Sequence, residues 1–192
     1  STVFEVKGAL LEPQVEADLY AEDSQMGDLQ LRQVGGRILW GKDLAGEGAW
    51  RYGLPRFKLL TQHGSVRISG LTGKLVAGEE LSVSGKGLFR LRRLTPLALL
   101  DALGVNTDSA GIPEIQLGGR AELSFHGSEG LWKLAPKLDL NVILDGVREL
   151  GVRGNPNLEL NAGQVRIASQ DLEIWDDSLR VTLDGESVWP EG

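Results

Sequence analysis

The chain has 192 residues, of which 41% are hydrophobic and 24% charged, with 26 glycines, no cysteine and a formal net charge of −7. It is long enough to bury a core without staples and too apolar for a disordered segment; without cysteine it has no disulfide, thiol nucleophile or cysteine zinc site. The acidic balance argues against nucleic acid as a partner, since a polyanion needs a basic face.

A recurring string sets the reading of the whole chain. Gly64-Ser65-Val66-Arg67-Ile68-Ser69 and Gly163-Gln164-Val165-Arg166-Ile167-Ala168 are nearly the same, and looser copies begin at Gly36, Gly73, Gly87 and Gly119. Alternation with a period of two puts every second side chain on one face of a strand. The glycine is expected at the strand start, as a turn or bulge.

Taken in order, Phe4, Val6 and Leu10 open a strand broken by Gly8. Val15, Ala17 and Leu19 alternate with Glu16 and Asp18 in a second, and Leu29 and Leu31 begin a third. Trp50, Tyr52 and Leu54 share a face up to Pro55, which ends a strand or marks an edge. Val66 and Ile68, Leu71 and Leu75, Leu81 and Val83, and Phe89 and Leu91 predict four short strands in a meander.

One helix is predicted near 96–103, with Thr95 as N-cap, Pro96 in the first turn, Leu97, Leu100 and Leu103 along one side and Gly104 as the C-terminal signal. The polar stretch 105–113 is the candidate sub-boundary within an otherwise single domain, 1–192. Ile115, Leu117, Gly119, Ala121, Leu123 and Phe125 form the cleanest strand; Leu138, Leu140, Val142 and Leu144 repeat it. Pairs at Leu158, Val165, Leu172 and Leu179 continue the pattern to a tail, 188–192, expected to fray.

The expected fold is therefore mainly β: a single curved or folded antiparallel sheet, half-barrel or sandwich-like, of about twelve short strands with one short helix. No stretch reaches the roughly 20 apolar residues of a membrane span. The first residue is Ser1 rather than methionine, which leaves room for an upstream anchor.

Residues that could carry chemistry are scattered. His63 and His126 sit beside glycines with no ligand or general-base partner at a recognisable spacing. Glu79-Glu80 and Asp176-Asp177 lack the further oxygen ligands of a calcium loop and read as turns. No catalytic residue, metal site or cofactor is expected. Lys86, Arg90, Arg92 and Arg93 form a short basic run, read as positive charge guarding a strand edge. Of the five tryptophans, Trp40 and Trp50 fall in apolar register and are expected in packing, whereas Trp175 is the one expected to be exposed.

The stretch Gly36 to Gly70 carries Arg37-Ile38-Leu39-Trp40-Gly41, then Gly48-Ala49-Trp50-Arg51-Tyr52, then Leu59-Leu60 ahead of Gly64-Ser65-Val66. A leucine-rich segment, Leu94 to Gly104, precedes the glycine-opened strand Gly119 to Phe125. This order resembles the periplasmic part of protein N of the bacterial type II secretion system and, more distantly, AsmA-like envelope proteins with β-grooves. The resemblance implies a non-enzymatic accessory domain in the periplasm, tethered to the inner membrane by a segment outside this chain and partnered by other secretion-system envelope components. The AsmA-like alternative implies a lipid-binding or lipid-transfer groove with phospholipid as occupant. In either case the working surface is expected to involve Leu97, Leu100, Leu103, Leu117, Leu123, Phe125, Leu140 and Val142. A closed apolar face favours docking, and an open one favours lipid.

Overall fold

The computed structural model describes residues 2–7, 14–26, 28–42, 49–77, 81–102, 114–128, 130–161 and 164–190. These build β1 (Thr2–Lys7), β2 (Gln14–Met26), β3 (Leu29–Lys42), β4 (Ala49–Thr61), β5 (Gly64–Ala77), β6 (Leu81–Leu94), α1 (Pro96–Ala102), β7 (Ile115–Ser128), β8 (Leu131–Leu144), β9 (Arg148–Gly154), β10 (Asn157–Asn161), β11 (Gln164–Trp175) and β12 (Arg180–Pro190). All strands join one antiparallel sheet of 12 strands, as the alternation predicts. From β1 to β8 each strand pairs with the next in sequence. Strands β9 and β10 lie end to end along β8 and both pair with β11, which pairs with β12.

The strands are longer than the sequence pattern suggests. Val66-Ile68 and Leu71-Leu75 belong to one 14-residue strand, β5, and Leu81-Val83 and Phe89-Leu91 to another, β6. Fourteen residues span about 48 Å. Of the glycines expected at strand starts, Gly64 opens β5, whereas Gly36, Gly73, Gly87 and Gly119 lie inside strands. Strand β12 continues through Val188, which pairs with Arg166, so the tail is ordered into the sheet up to Pro190.

Bulges keep the apolar residues on one face. In β4 the apolar side chains switch from even positions (Trp50, Tyr52) to odd ones (Phe57, Leu59), and in β5 from odd (Leu75, Gly73) to even (Ile68, Val66). One extra residue in each strand would flip every side chain beyond it. Register shifts absorb it: between Arg37 and Leu39 on the β3 side and between Ser69 and Thr72 on the β6 side. Gly70 takes the second bulge at φ +61, a conformation glycine adopts without a Cβ penalty. A further bulge at Arg92–Arg93, with Arg93 at φ +48, bends β6 over the β4–β5 turn, where the Thr95 amide donates to the His63 carbonyl at 2.9 Å.

The break between β9 and β10 has a local cause. Pro156 has no amide proton to give the ladder, and Asn155 turns instead to Asp171, donating its backbone and side-chain amides to the carboxylate at 3.0 and 2.6 Å. Asp171 stands in the matching bulge of β11, between Ser169 and Leu172.

Among the described residues the sheet's apolar face has no second layer over it. The accessible surface is 12699 Å² for a 20.8 kDa chain, against about 8,900 Å² for a compact monomer of that mass. Among the described residues only Ala17, Leu29, Ala49 and Leu71 are buried aliphatic side chains. Helix α1 has seven residues, about 10 Å of length, and contacts β7. It cannot cover a sheet whose strands, at about 4.8 Å spacing, spread over roughly 50 Å.

Candidate functional site: an open apolar sheet face

The registers assemble the apolar positions into rows that cross the sheet. One row runs Leu59, Val66, Leu91, Gly119, Leu140, Val152 and Ile174. A second runs Phe57, Ile68, Phe89, Ala121 and Leu138. A third runs Trp40, Tyr52, Gly73, Gly85, Phe125, Leu134 and Leu158. Nearly all of these side chains are half-buried: they pack sideways on each other and present their outer surface to solvent.

Glycines and aromatic rings make this face smooth. Tyr52 lies across Gly73 and reaches Gly85, and a Cβ on Gly73 would meet the ring at 2.4 Å. The Tyr52 hydroxyl then donates to the Ser84 carbonyl at 3.0 Å, and partial burial pushes its pKa above the ordinary tyrosine value. Trp132 lies on Gly127 in the same way, with a notional Cβ 2.6 Å from the ring. A ring seated on a glycine covers backbone that would otherwise be open, and it lies along the sheet rather than standing up from it. At the β3–β4 end, Trp40 stacks on Trp50 with centroids 5.9 Å apart and on Tyr52 at 6.4 Å.

The sequence-predicted surface divides in three. Leu117, Leu123 and Phe125 on β7 and Leu140 and Val142 on β8 come together on this face, with Leu117 directly opposite Val142. Leu97 is half-buried on α1, beside β7. Leu100 belongs to α1, but its side chain, the whole of Leu103 and the sub-boundary at 105–113 lie outside the described residues. Sequence reasoning missed the aromatic members, Tyr52 and Trp132. Their signal is a glycine at the directly opposed position, visible only once the register is known.

Trp40, expected in core or sheet-rim packing, does stack on Trp50 and Tyr52, with 36% of its surface left exposed on the apolar face. Two other expectations change. Trp175, expected to be exposed, is half-buried on the opposite face, lying on Gly151 with the guanidinium groups of Arg153 and Arg180 at 5.7 and 5.6 Å. Strand β6, with its basic run, is not an edge, because β5 and β7 flank it. Of the histidines, His63 holds the β4–β5 turn, where its amide donates to Thr61 Oγ1 at 3.0 Å, and His126 stands inside β7 opposite Ser84 and Lys133. Asp176 is a turn residue as expected: its carboxylate accepts the Ser178 and Leu179 amides at 2.8 Å and pairs with Arg148. Glu79-Glu80 lies outside the described residues.

Comparison with known proteins finds no matching family, no matching curated protein and no matching solved structure.

Proposed function

We propose that this chain is a non-enzymatic binding module of the bacterial cell envelope that works through the open apolar face of its sheet, with the acyl chains of a phospholipid as occupant. The observation that carries the reading is the continuity of that face: aligned apolar rows cross β3 to β11, and among the described residues no second layer lies over them. An exposed apolar surface of this extent is costly in water and marks an interaction site. Flat-lying rings and aliphatic chains offer many weak contacts and few hydrogen bonds, which suits hydrocarbon better than a polar ligand.

The second reading is an accessory interaction domain of a type II secretion machine, as the resemblance implies. Strand β12 favours it. Among the described residues this strand pairs only with β11, and it exposes Leu179 beside it and Val181, Leu183 and Val188 along it. An apolar edge strand of this kind accepts a further strand by β-augmentation.

Native mass spectrometry of the protein purified from bacterial envelopes tests the first reading. The expected result is a population heavier by the mass of a phospholipid, lost in Leu123→Asp/Leu140→Asp protein that keeps its strand circular dichroism. A single apo mass under conditions that preserve other lipid complexes would refute it.

A further inference from the structure

We propose that the opposite, polar face carries an anion site for phosphate groups, built around a directly opposed row of like charges: Lys58, Arg67, Arg90 and Arg120 on four consecutive strands. The register pairs Lys58 with Arg67, Arg67 with Arg90, and Arg90 with Arg120. Like charges directly across a ladder are destabilising. Elsewhere on this face like charges meet in isolated pairs, among them Arg37 opposite Arg56 and Arg51 opposite Lys74, and carboxylates neutralise cations there: Arg37 bridges Glu16 and Asp18 at 2.6 and 3.0 Å, and Arg166 bridges Glu186. In a chain of net charge −7, a like-charge row is the arrangement that random placement and local pairing both disfavour.

Three of the row, Lys58, Arg67 and Arg90, line a cavity of about 730 Å³ together with Arg32, Arg92 and Arg93, while Arg120 continues the row beyond it, opposite Asp139. Among the described residues no carboxylate lines it. Lys58 donates to the Gln33 side-chain oxygen. Among the described residues none of the six cations forms an ion pair. The walls come from the fold itself. The β6 bulge at Arg92–Arg93 and the β4–β5 turn close on each other so tightly that a Cβ on Gly64 would sit 2.2 Å from the Arg93 carbonyl oxygen. Ser65, Thr61 and Thr95 add hydroxyl groups to the lining.

Five guanidinium forks and an ammonium group around one hollow match an anion with several oxygens, because arginine binds phosphate in bidentate fashion. Six cations exceed what one phosphate neutralises, so the ligand carries two or more phosphates, or several anionic headgroups together. The site lies on the opposite face from the acyl-chain surface, and its test does not depend on that reading.

Inorganic pyrophosphate is the probe, added at fixed ionic strength so that general screening is held constant. A ligand that binds the folded state raises the thermal midpoint. The expected result is a rise of several degrees for the parent, and none for Arg67→Gln/Arg90→Gln. That variant should itself melt above the parent in low-salt buffer without pyrophosphate, since it relieves the opposed charges. Arg37→Gln, outside the cavity, should respond as the parent does. No rise in the parent, or an equal rise in the Arg67→Gln/Arg90→Gln variant, would overturn the site. Sedimentation with phosphatidylglycerol vesicles but not phosphatidylcholine vesicles, competed by pyrophosphate, supports a lipid headgroup as the source; a pyrophosphate rise without sedimentation supports a free phosphate compound. A larger rise with single-stranded DNA than with pyrophosphate at equal phosphate would overturn the small-ligand assignment in favour of nucleic acid.

Discussion

Tyr52 and Gly73 face each other across β4 and β5 with no room between them: the Tyr52 ring occupies the space where a side chain on Gly73 would begin. The glycine is there because the ring is, and the ring lies flat because the glycine lets it. Gly85, one strand further on, extends the seat, so that Tyr52 bridges three strands and ends on the Ser84 carbonyl.

Gly85→Ala should therefore destabilise the fold by about 1–3 kcal/mol, the usual cost of forcing volume into a filled site. Its Cβ would meet the Tyr52 hydroxyl oxygen at 2.6 Å and the Phe125 ring at 2.8 Å. Tyr52→Phe keeps the ring and loses one hydrogen bond, and should cost roughly 1 kcal/mol. Urea melts of both variants beside the parent check the order, with Gly85→Ala the more damaged.

The β11–β12 turn should weaken in acid. Backbone amides of Ser178 and Leu179 together with Arg148 hold the Asp176 carboxyl below its ordinary value of 3.8, the Ser178 amide contributing most. A depressed carboxylate pKa favours the folded state while the group is ionised, so the contribution is complete above the unfolded value and is lost as pH falls through the folded one. Asp176→Asn keeps an oxygen for the amides but loses the charge. It should be less stable than the parent at neutral pH, and the gap should narrow as pH drops below about 4. A gap that stays constant down the acid limb of paired urea melts would contradict this.

Helix α1 tests how much a single short helix adds to an open sheet. Seven residues are too few to hold a helix alone, so contact with β7 must support it. Leu97 is only half-buried, and Leu97→Ala should cost about 1–2 kcal/mol rather than the roughly 2–5 of a fully enclosed leucine. A loss at the upper end of that larger range would mean that the helix is more deeply seated than its exposure indicates.

Much of the fold is legible in the sequence because alternation is a local property. Ile115 to Phe125 and Leu138 to Leu144 announce strands without reference to anything else in the chain, and Thr95-Pro96 announces a helix start. Strand length is harder to read. Leu54-Pro55 and Gly70-Leu71 look like strand ends, yet they are bulges in strands that continue, and a bulge differs from a break only through the partner strand. The apolar patch of Leu117, Leu123, Phe125, Leu140 and Val142 is legible because β7 and β8 are simple hairpin partners. The basic row is not. Lys58, Arg67, Arg90 and Arg120 are each an ordinary polar member of an alternating strand, and only three successive registers make them neighbours.

The tryptophans offer the most direct test of the apolar face. Trp132 lies on it, seated on Gly127, and Trp175 lies on the opposite face between Arg153 and Arg180. Two single-tryptophan proteins, retaining Trp132 or Trp175 with the other tryptophans changed to phenylalanine, can be titrated with a fatty acid brominated along its chain, which quenches indole fluorescence only at contact. Saturable quenching of Trp132 with Trp175 unaffected is the predicted result; equal quenching of both, or none of Trp132, would contradict an acyl-chain surface on this face.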